Sequence, residues 1–297
     1  MAWWWIALGA LLALAAGLLG RRLADAAAAR RAWRRLGAAA EPARVDPDAL
    51  AALAEPARRF FAWSLADRGE APTAAEIRMA GELTLGAGER ARHLPMTGYQ
   101  ILAVPHGFVW ICRAGSAGLR IAGSDGLAEG TGWTRFWLLG LLPVVRAQGA
   151  RDMARSAAGR AVAEAVFWTP GALLPGPTVT WTGVDADTAR AHVHMGGHVH
   201  ELDLAVAADG APVSVTLRRW SRENAERTWR LQPFGGTVDA TMRVDGVGVA
   251  ARITGGNGFG TDAYAPFYRA GVTRLRFPSP DTGGAASSRP SPDARGR

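Results

Sequence analysis

The stretch from Ala2 to Gly20, AWWWIALGALLALAAGLLG, holds no charged side chain and constrains the chain more than any other feature. As a helix it rises roughly 1.5 Å per residue, so it spans about 28 Å, close to the roughly 30 Å hydrocarbon core of a bilayer. Trp3, Trp4 and Trp5 sit at one end, where indole rings favour the interface. The expectation is one transmembrane helix over residues 1–22. A cleaved signal peptide is the competing reading, because small residues between Ala24 and Ala29 offer a cleavage site. Against it, no Lys or Arg precedes the apolar run, and Arg21-Arg22 follows it. Retention is favoured.

The net charge of +8 would ordinarily suggest a nucleic-acid partner, but its position argues otherwise. Between Arg21 and Arg35, six arginines against Asp25 leave +5, and the other 282 residues carry only +3. Positive charge beside an apolar helix reads as membrane topology and attraction to anionic lipid head groups, on the order of 1 kcal/mol per Arg. The membrane is therefore the expected partner, and nucleic acid is not. The expected location is the bacterial inner membrane, crossed once. The positive-inside rule places the domain in the cytoplasm, although a short uncharged N-terminus gives that rule little to work against, and the side stays open. All 34 basic residues are Arg, which reflects coding bias and says little about phosphate recognition. The single cysteine, Cys112, rules out an intrachain disulfide and a Cys-based zinc finger. In the run Phe108 to Cys112 it reads as a small buried hydrophobe.

At 48% hydrophobic and 20% charged, the rest is ordinary globular material. Residues 21–37 can extend the helix, with Leu23, Ala26, Trp33 and Leu36 near one face. Glu41-Pro42 and Asp46-Pro47 punctuate a linker, so 23–47 reads as a basic juxtamembrane segment. The globular domain is expected over 48–278, opening with a helix over 48–67 that is interrupted or restarted at Pro56. From Glu76 the apolar period changes to two, the mark of a half-buried strand. Further strands are expected at 98–104, 107–113, 119–123, 126–136 and 141–146. A second series follows at 178–184, 188–195, 198–207, 213–220, 227–234, 237–244, 247–254 and 272–277. Tight Asp-Gly and Gly turns between them imply antiparallel pairing. One helix, 152–168, interrupts the strands and should end before Thr169-Pro170, since the residue before proline resists helical dihedrals. The fold class is mainly β (α+β), and the tail 279–297 reads as disordered.

Candidate chemistry is sparse. The run Ala191-His192-Val193-His194-Met195-Gly196-Gly197-His198-Val199-His200 reads as a hairpin with Met195-Gly196-Gly197 as its loop. In that register His192, His194, His198 and His200 share one face, able to hold Zn, Cu or Ni. The plainer reading makes them solvent-facing residues near a hairpin tip, and it is favoured. Glu164 lies in an apolar helical run and needs a partner: Arg160 one turn earlier, or Arg218 or Arg219 from a strand. A structural ion pair is favoured over a catalytic acid. Trp110, Trp133, Trp137, Trp168 and Trp181, with Trp220 and Trp229, either fill the core or line a cavity. With Glu164 and Arg218, the first five are the candidate ligand-binding set. No G-x-S-x-G, H-E-x-x-H or Walker-type pattern occurs, and Gly255 to Gly260 reads as a loop. Binding is expected over catalysis, and no cofactor beyond the histidine-bound metal is indicated.

Several blocks together resemble a known family. They are Leu138 to Val145 (LLGLLPVV), Ala163 to Pro170 (AEAVFWTP), Leu173-Leu174-Pro175, Val179-Thr180-Trp181 and Val184-Asp185, with Leu53 to Phe61 upstream. They resemble an uncharacterised bacterial domain-of-unknown-function family, number sixty-five forty-four, over roughly residues 48–277. The resemblance implies a curved antiparallel sheet or half-barrel with packed helices, like the lipoprotein-carrier half-barrels. It also implies a concave face able to hold an acyl chain or another apolar ligand, and an extracytoplasmic carrier. It implies no catalytic residues. The histidine run and the Phe167-Trp168 order depart from that family's pattern.

Overall fold

The computed structural model describes residues 2–86, 91–116 and 118–278; the tail expected to be disordered, 279–297, lies outside the described residues. The chain opens with one continuous helix, α1 (Ala2–Ala38), long and apolar enough to cross a bilayer. Its first twenty residues contain no stretch covered by the rest of the protein, whereas its second half packs on the domain. After β1 (Ala43–Arg44), the expected 48–67 helix is two: α2 (Pro47–Ala51) and α3 (Glu55–Leu65). Asp46 caps α2 by accepting from the backbone N–H of Asp48 (3.0 Å) and Ala49 (3.3 Å), with Pro47 in the first turn. Pro56 occupies the first turn of α3, where its missing N–H costs nothing.

After β2 (Glu70–Ala71) come β3 (Ala74–Leu85), β4 (Arg92–Ala103), β5 (Gly107–Ser116), β6 (Leu119–Ala128), β7 (Thr131–Leu138) and β8 (Leu142–Gly149). The helix α4 (Asp152–Trp168) follows with the expected bounds. The chain then forms β9 (Val179–Gly183), β10 (Thr188–Met195), β11 (His198–Val206), β12 (Pro212–Ser221), β13 (Arg230–Val244), β14 (Val247–Asn257) and β15 (Ala265–Arg276). Three expectations differ. Residues 126–136 are two strands, because Glu129 and Gly130 take positive φ and turn the chain. The separate strands 227–234 and 237–244 are one, β13, since Gly235 and Gly236 continue the ladder. Gly255 to Asn257 belong to β14 instead of a loop.

Thirteen strands form one antiparallel sheet in the order β8-β7-β6-β5-β4-β3-β15-β14-β13-β12-β11-β10-β9. The chain enters at the centre with β3, meanders to the β8 edge, and crosses through α4 to the opposite edge at β9. It then meanders back until β15 pairs with β3. One helix touches strands of both halves, β4 to β8 and β11, β12 and β14, because the sheet curls around it into a half-barrel.

The two faces differ. The concave face holds the main core, in which Phe60, Phe61, Phe108, Leu102, Leu202, Leu204 and Trp168 are essentially inaccessible. Eleven of the seventeen residues of α4 are buried there, mostly Ala, Val and Gly, so the helix lies close to the strands. The other face carries a smaller cluster in which Ala29 and Leu36 of α1 meet Ile101, Ala103, Val109, Ala128 and Trp133.

Candidate functional site

Strand parity and helix period place one polar cluster in the middle of the concave face. On α4, Arg160 and Glu164 are one turn apart, and Arg160 Nε donates to Glu164 Oε1 at 2.6 Å. Arg160 Nη1 donates to Asp125 Oδ2 on β6 (2.6 Å), and Nη2 to Gln100 Oε1 on β4 (3.3 Å). Gln100 Nε2 closes the ring by donating to Glu164 Oε2 at 2.5 Å. The Arg160 guanidinium also lies over the rings of Phe108 (4.6 Å) and Trp110 (5.2 Å). Burial works against its charge, but Glu164 and Asp125 outweigh burial and raise its pKa. The sequence-based choice of Arg160 as the partner of Glu164 holds.

A second arginine stands beside this ring. Arg219 on β12 donates from Nε to Ser156 O of α4 at 2.9 Å, and its guanidinium lies 4.8 Å from the Phe234 ring centroid. Burial, then the nearby Arg160, push its pKa down to about 10. Burial likewise raises the Tyr268 hydroxyl and pushes the Cys112 thiol up to about 12, which leaves Cys112 an inert core residue.

Between this cluster and the sheet lies a cavity of about 170 Å³. It begins at Trp110, Asp125 and Arg160 and continues past Phe234, Phe267 and Leu83, which are half-buried. Gly235, Gly236 and Gly255 are among its lining residues. Gly236 pairs with Gly255 across β13 and β14 on the same face as Val215, so two adjacent strands contribute bare backbone to the hollow. A Cβ at Gly236 would sit 2.2 Å from Thr254 O, so the glycine is required there.

The candidate residues scatter around this site. Trp110 and Glu164 line the cavity. Trp168 is core, donating to Ala250 O (3.1 Å), and Trp181 donates to Leu173 O (2.9 Å) beside Phe60 and Phe61. Trp133 belongs to the cluster under α1, and Trp137 shares its strand face at a spacing of four. Arg218 falls on the exposed side of β12 and reaches Leu231 O, so its neighbour Arg219 takes the inner place. Parity with the buried Val215 and Leu217 is the signal that separates the two arginines. Gln100, Asp125 and Tyr268 were missed, although Gln100 shares the inward phase of Met96, Gly98 and Leu102.

The histidine hairpin adopts another register. Gly196 and Gly197 both take positive φ, forming a two-residue turn that pairs Met195 with His198, Val193 with His200, His194 with Val199 and His192 with Glu201. This shift by one residue sends His198 and His200 to the concave face and leaves His192 and His194 on the other. The expected four-imidazole face is therefore not formed. Among the described residues no group of three or more His, Cys, Asp or Glu side chains is placed to hold a metal ion. His200 is buried beneath Gly159 of α4, and burial lowers its pKa to about 4, with a backbone bond to Met195 O opposing the shift.

On the outer face α1 is fixed by a charged seam. Asp25 is buried and accepts from Arg146 of β8 through Nη2 (3.0 Å) and Nε (3.3 Å), with Arg135 Nε of β7 at 3.7 Å. Ala29, Trp33, Leu36 and Ala40 continue the docked stripe, and Trp33 Nε1 donates to Glu76 Oε1 at 3.3 Å. Leu23, expected on that face, is 58% exposed, so the stripe is rotated away from it. Arg21, Arg30, Arg31 and Arg34 are left facing solvent. The apolar first half of α1 therefore leaves the domain at the sheet end where β5 stops and β6 starts. The cavity's half-buried walls, at Leu83, Phe234 and Phe267, belong to strand segments near that same end.

Fold and site define a helix long and apolar enough to cross a membrane, joined to a curled antiparallel half-barrel with an apolar hollow on its concave side. The chain belongs to the Family of unknown function (DUF6544), whose model matches residues 43–270. No curated protein matches it. Among solved structures it is similar to a LolA superfamily protein from Nitrosomonas europaea, at 7% identity and a TM-score of 0.38, over 74% of this chain and 90% of the other. A putative outer membrane lipoprotein-sorting protein domain from Vibrio parahaemolyticus matches at 11% identity and a TM-score of 0.38, over 77% and 93%. A DUF1329 family protein from Desulfovibrio piger matches at 10% identity and a TM-score of 0.36, over 69% and 85%.

Proposed function

We propose that this protein is a single-pass protein of the bacterial inner membrane whose half-barrel binds one apolar chain, such as a lipid acyl chain, in the hollow under α4. The observation that carries the reading is the glycine-floored cavity, set near the end of the sheet from which the apolar half of α1 departs. A tethered hollow facing the bilayer needs to move a chain only a short way out of the lipid. Arg21, Arg30, Arg31 and Arg34, exposed along α1, supply attraction to anionic head groups.

Size limits the ligand. At about 170 Å³ the cavity lies below the roughly 300–1,000 Å³ that encloses a drug-sized molecule. It resembles in scale the roughly 150 Å³ apolar cavities that admit one small apolar molecule. One chain end fits, and a whole diacyl lipid does not. Arg219 and the Arg160 ring form the polar end of the hollow, and the phenyl rings of Phe234 and Phe267 form its apolar walls.

Mass spectrometry of the intact full chain, released from a mild detergent, tests this. The wild type is expected to retain one apolar molecule, and Ala163→Phe or Val215→Phe, which fill the hollow, to lose it. Equal retention in all three, with the variants folded, contradicts the cavity as the site.

A further inference from the structure

The turn between β7 and β8 presents an arrangement that the cavity does not use. Leu139 and Gly140 take φ of 50° and 77°, a conformation that favours Asn-Gly, and the Leu141 N–H donates to Leu138 O at 3.1 Å. Instead of polar residues the tip carries leucines, and the strand leaving it continues the pattern. Leu139 is 56% exposed, Leu142 55% and Val144 51%, with Leu141 and Val145 above 40%. A contiguous apolar tip on an edge strand is a liability in water unless something covers it.

Its neighbours identify the cover. A Cβ built at Gly140 would lie 2.6 Å from Arg22 Nη1, so the tip touches the second charged residue after the apolar half of α1. The Leu139 N–H donates to Arg120 O at 2.7 Å, and the Arg120 side chain is exposed beside it. Exposed apolar side chains thus lie at the level where α1 passes from uncharged to charged, beside Arg22 and Arg120. That order, apolar tip and then cationic collar, matches the order of acyl chains and phosphates in an anionic bilayer.

We infer that the Leu139–Leu142 tip is a second membrane contact, inserted at the boundary between head groups and acyl chains. With α1 it makes two points of attachment, fixing the rotation of the half-barrel about the helix so that one end of the sheet faces the lipid. The inference rests on α1 crossing the bilayer as proposed above.

The test uses the full chain in vesicles of phosphatidylethanolamine and phosphatidylglycerol. An environment-sensitive fluorophore is attached to Leu11→Cys, Leu141→Cys or Val213→Cys, each in a Cys112→Ala background. Val213 is 45% exposed and lies at the start of β12, near the opposite end of the strands. The expected pattern is deep quenching by brominated acyl chains at Leu11, shallow quenching with a blue shift at Leu141, and neither at Val213. A Leu11 label in lipid with a Leu141 label in water overturns the tip contact and leaves the anchor standing. A Leu141 label shielded from water but untouched by brominated lipid means that protein covers the tip, which also overturns it. A Leu11 label in water removes the anchor and the inference together. Leu139→Asp with Leu141→Asp provides a second reading: a loss of quenching for a label at Leu142→Cys is expected, with none at Leu11.

Discussion

The sheet supports a helix on each face, and the two are held by different physics. Beneath α4 the contact is broad and apolar, with eleven buried helix residues and an ion-paired ring enclosed at its centre. Beneath α1 it is a narrow stripe fixed by Asp25 and closed by Ala29, Trp33 and Leu36. The first layer is the core of the half-barrel; the second docks the long N-terminal helix on a finished domain. The difference teaches that an apolar hollow and the docking seat of a long apolar helix can be built on opposite faces of one sheet, each adjustable without dismantling the other.

The strongest way to break this contrast is to truncate one aromatic in each layer. Trp168→Ala leaves a large void in the concave core and orphans Ala250 O, so a loss of about 3–5 kcal/mol is expected, a large share of a domain's usual 5–15. Trp33→Ala should cost the half-barrel less than about 1 kcal/mol, because Trp33 is half-exposed. Comparable losses of denaturant midpoint in both variants would contradict the division.

Next in size is the ring. Arg160→Ala strands the carboxylates of Glu164 and Asp125 in the interior and is expected to cost about 3–5 kcal/mol. The triple change Arg160→Met, Glu164→Leu, Asp125→Asn should recover most of that loss in a chemical-denaturation series.

The pH dependence sharpens the same face. His200 titrates near 4 in the folded protein, below its ordinary 6.5, so the unfolded chain binds the proton first as pH falls. Its contribution to stability is intact above about pH 6.5 and declines by on the order of 3 kcal/mol as the pH drops to about 4. His200→Leu should flatten that part of the stability–pH curve relative to wild type. An unchanged slope would mean that the imidazole is not buried.

Smallest is the seam. Asp25→Ala leaves Arg146 and Arg135 facing a vacated carboxylate, worth about 1–2 kcal/mol given their partial exposure. The expected readout is faster amide exchange over residues 25–38 with the exchange of β3 to β5 unchanged.

Period-two alternation, Asp-Gly turns and the Ala-rich run before Thr169-Pro170 made most strands and α4 legible in the sequence, α4 to the residue. Blocks from Leu138 to Asp185 pointed correctly to the family and its half-barrel. What stayed hidden depends on register and on residues with no side chain. Two loop lengths were open to the histidine run, and the Gly196-Gly197 turn shifted the pairing by one place, separating His198 and His200 from His192 and His194. The glycine run at 255 looked like a loop because nothing local shows that Gly235 and Gly236 would face it. Arg218 and Arg219 are chemically equivalent, and only the buried phase of Val215 and Leu217 distinguishes them. Asp25 entered the sequence reading only as a charge among arginines, because its partners lie more than a hundred residues away.

The most direct test is photocrosslinking in membranes that contain the full chain and a phospholipid carrying a diazirine at the end of one acyl chain. After irradiation, adducts are expected on Phe234, Phe267 and Phe167 as well as along the first half of α1. Adducts confined to α1 and the Leu139–Leu142 tip, with none in the hollow, would contradict a half-barrel that draws a lipid chain out of the bilayer.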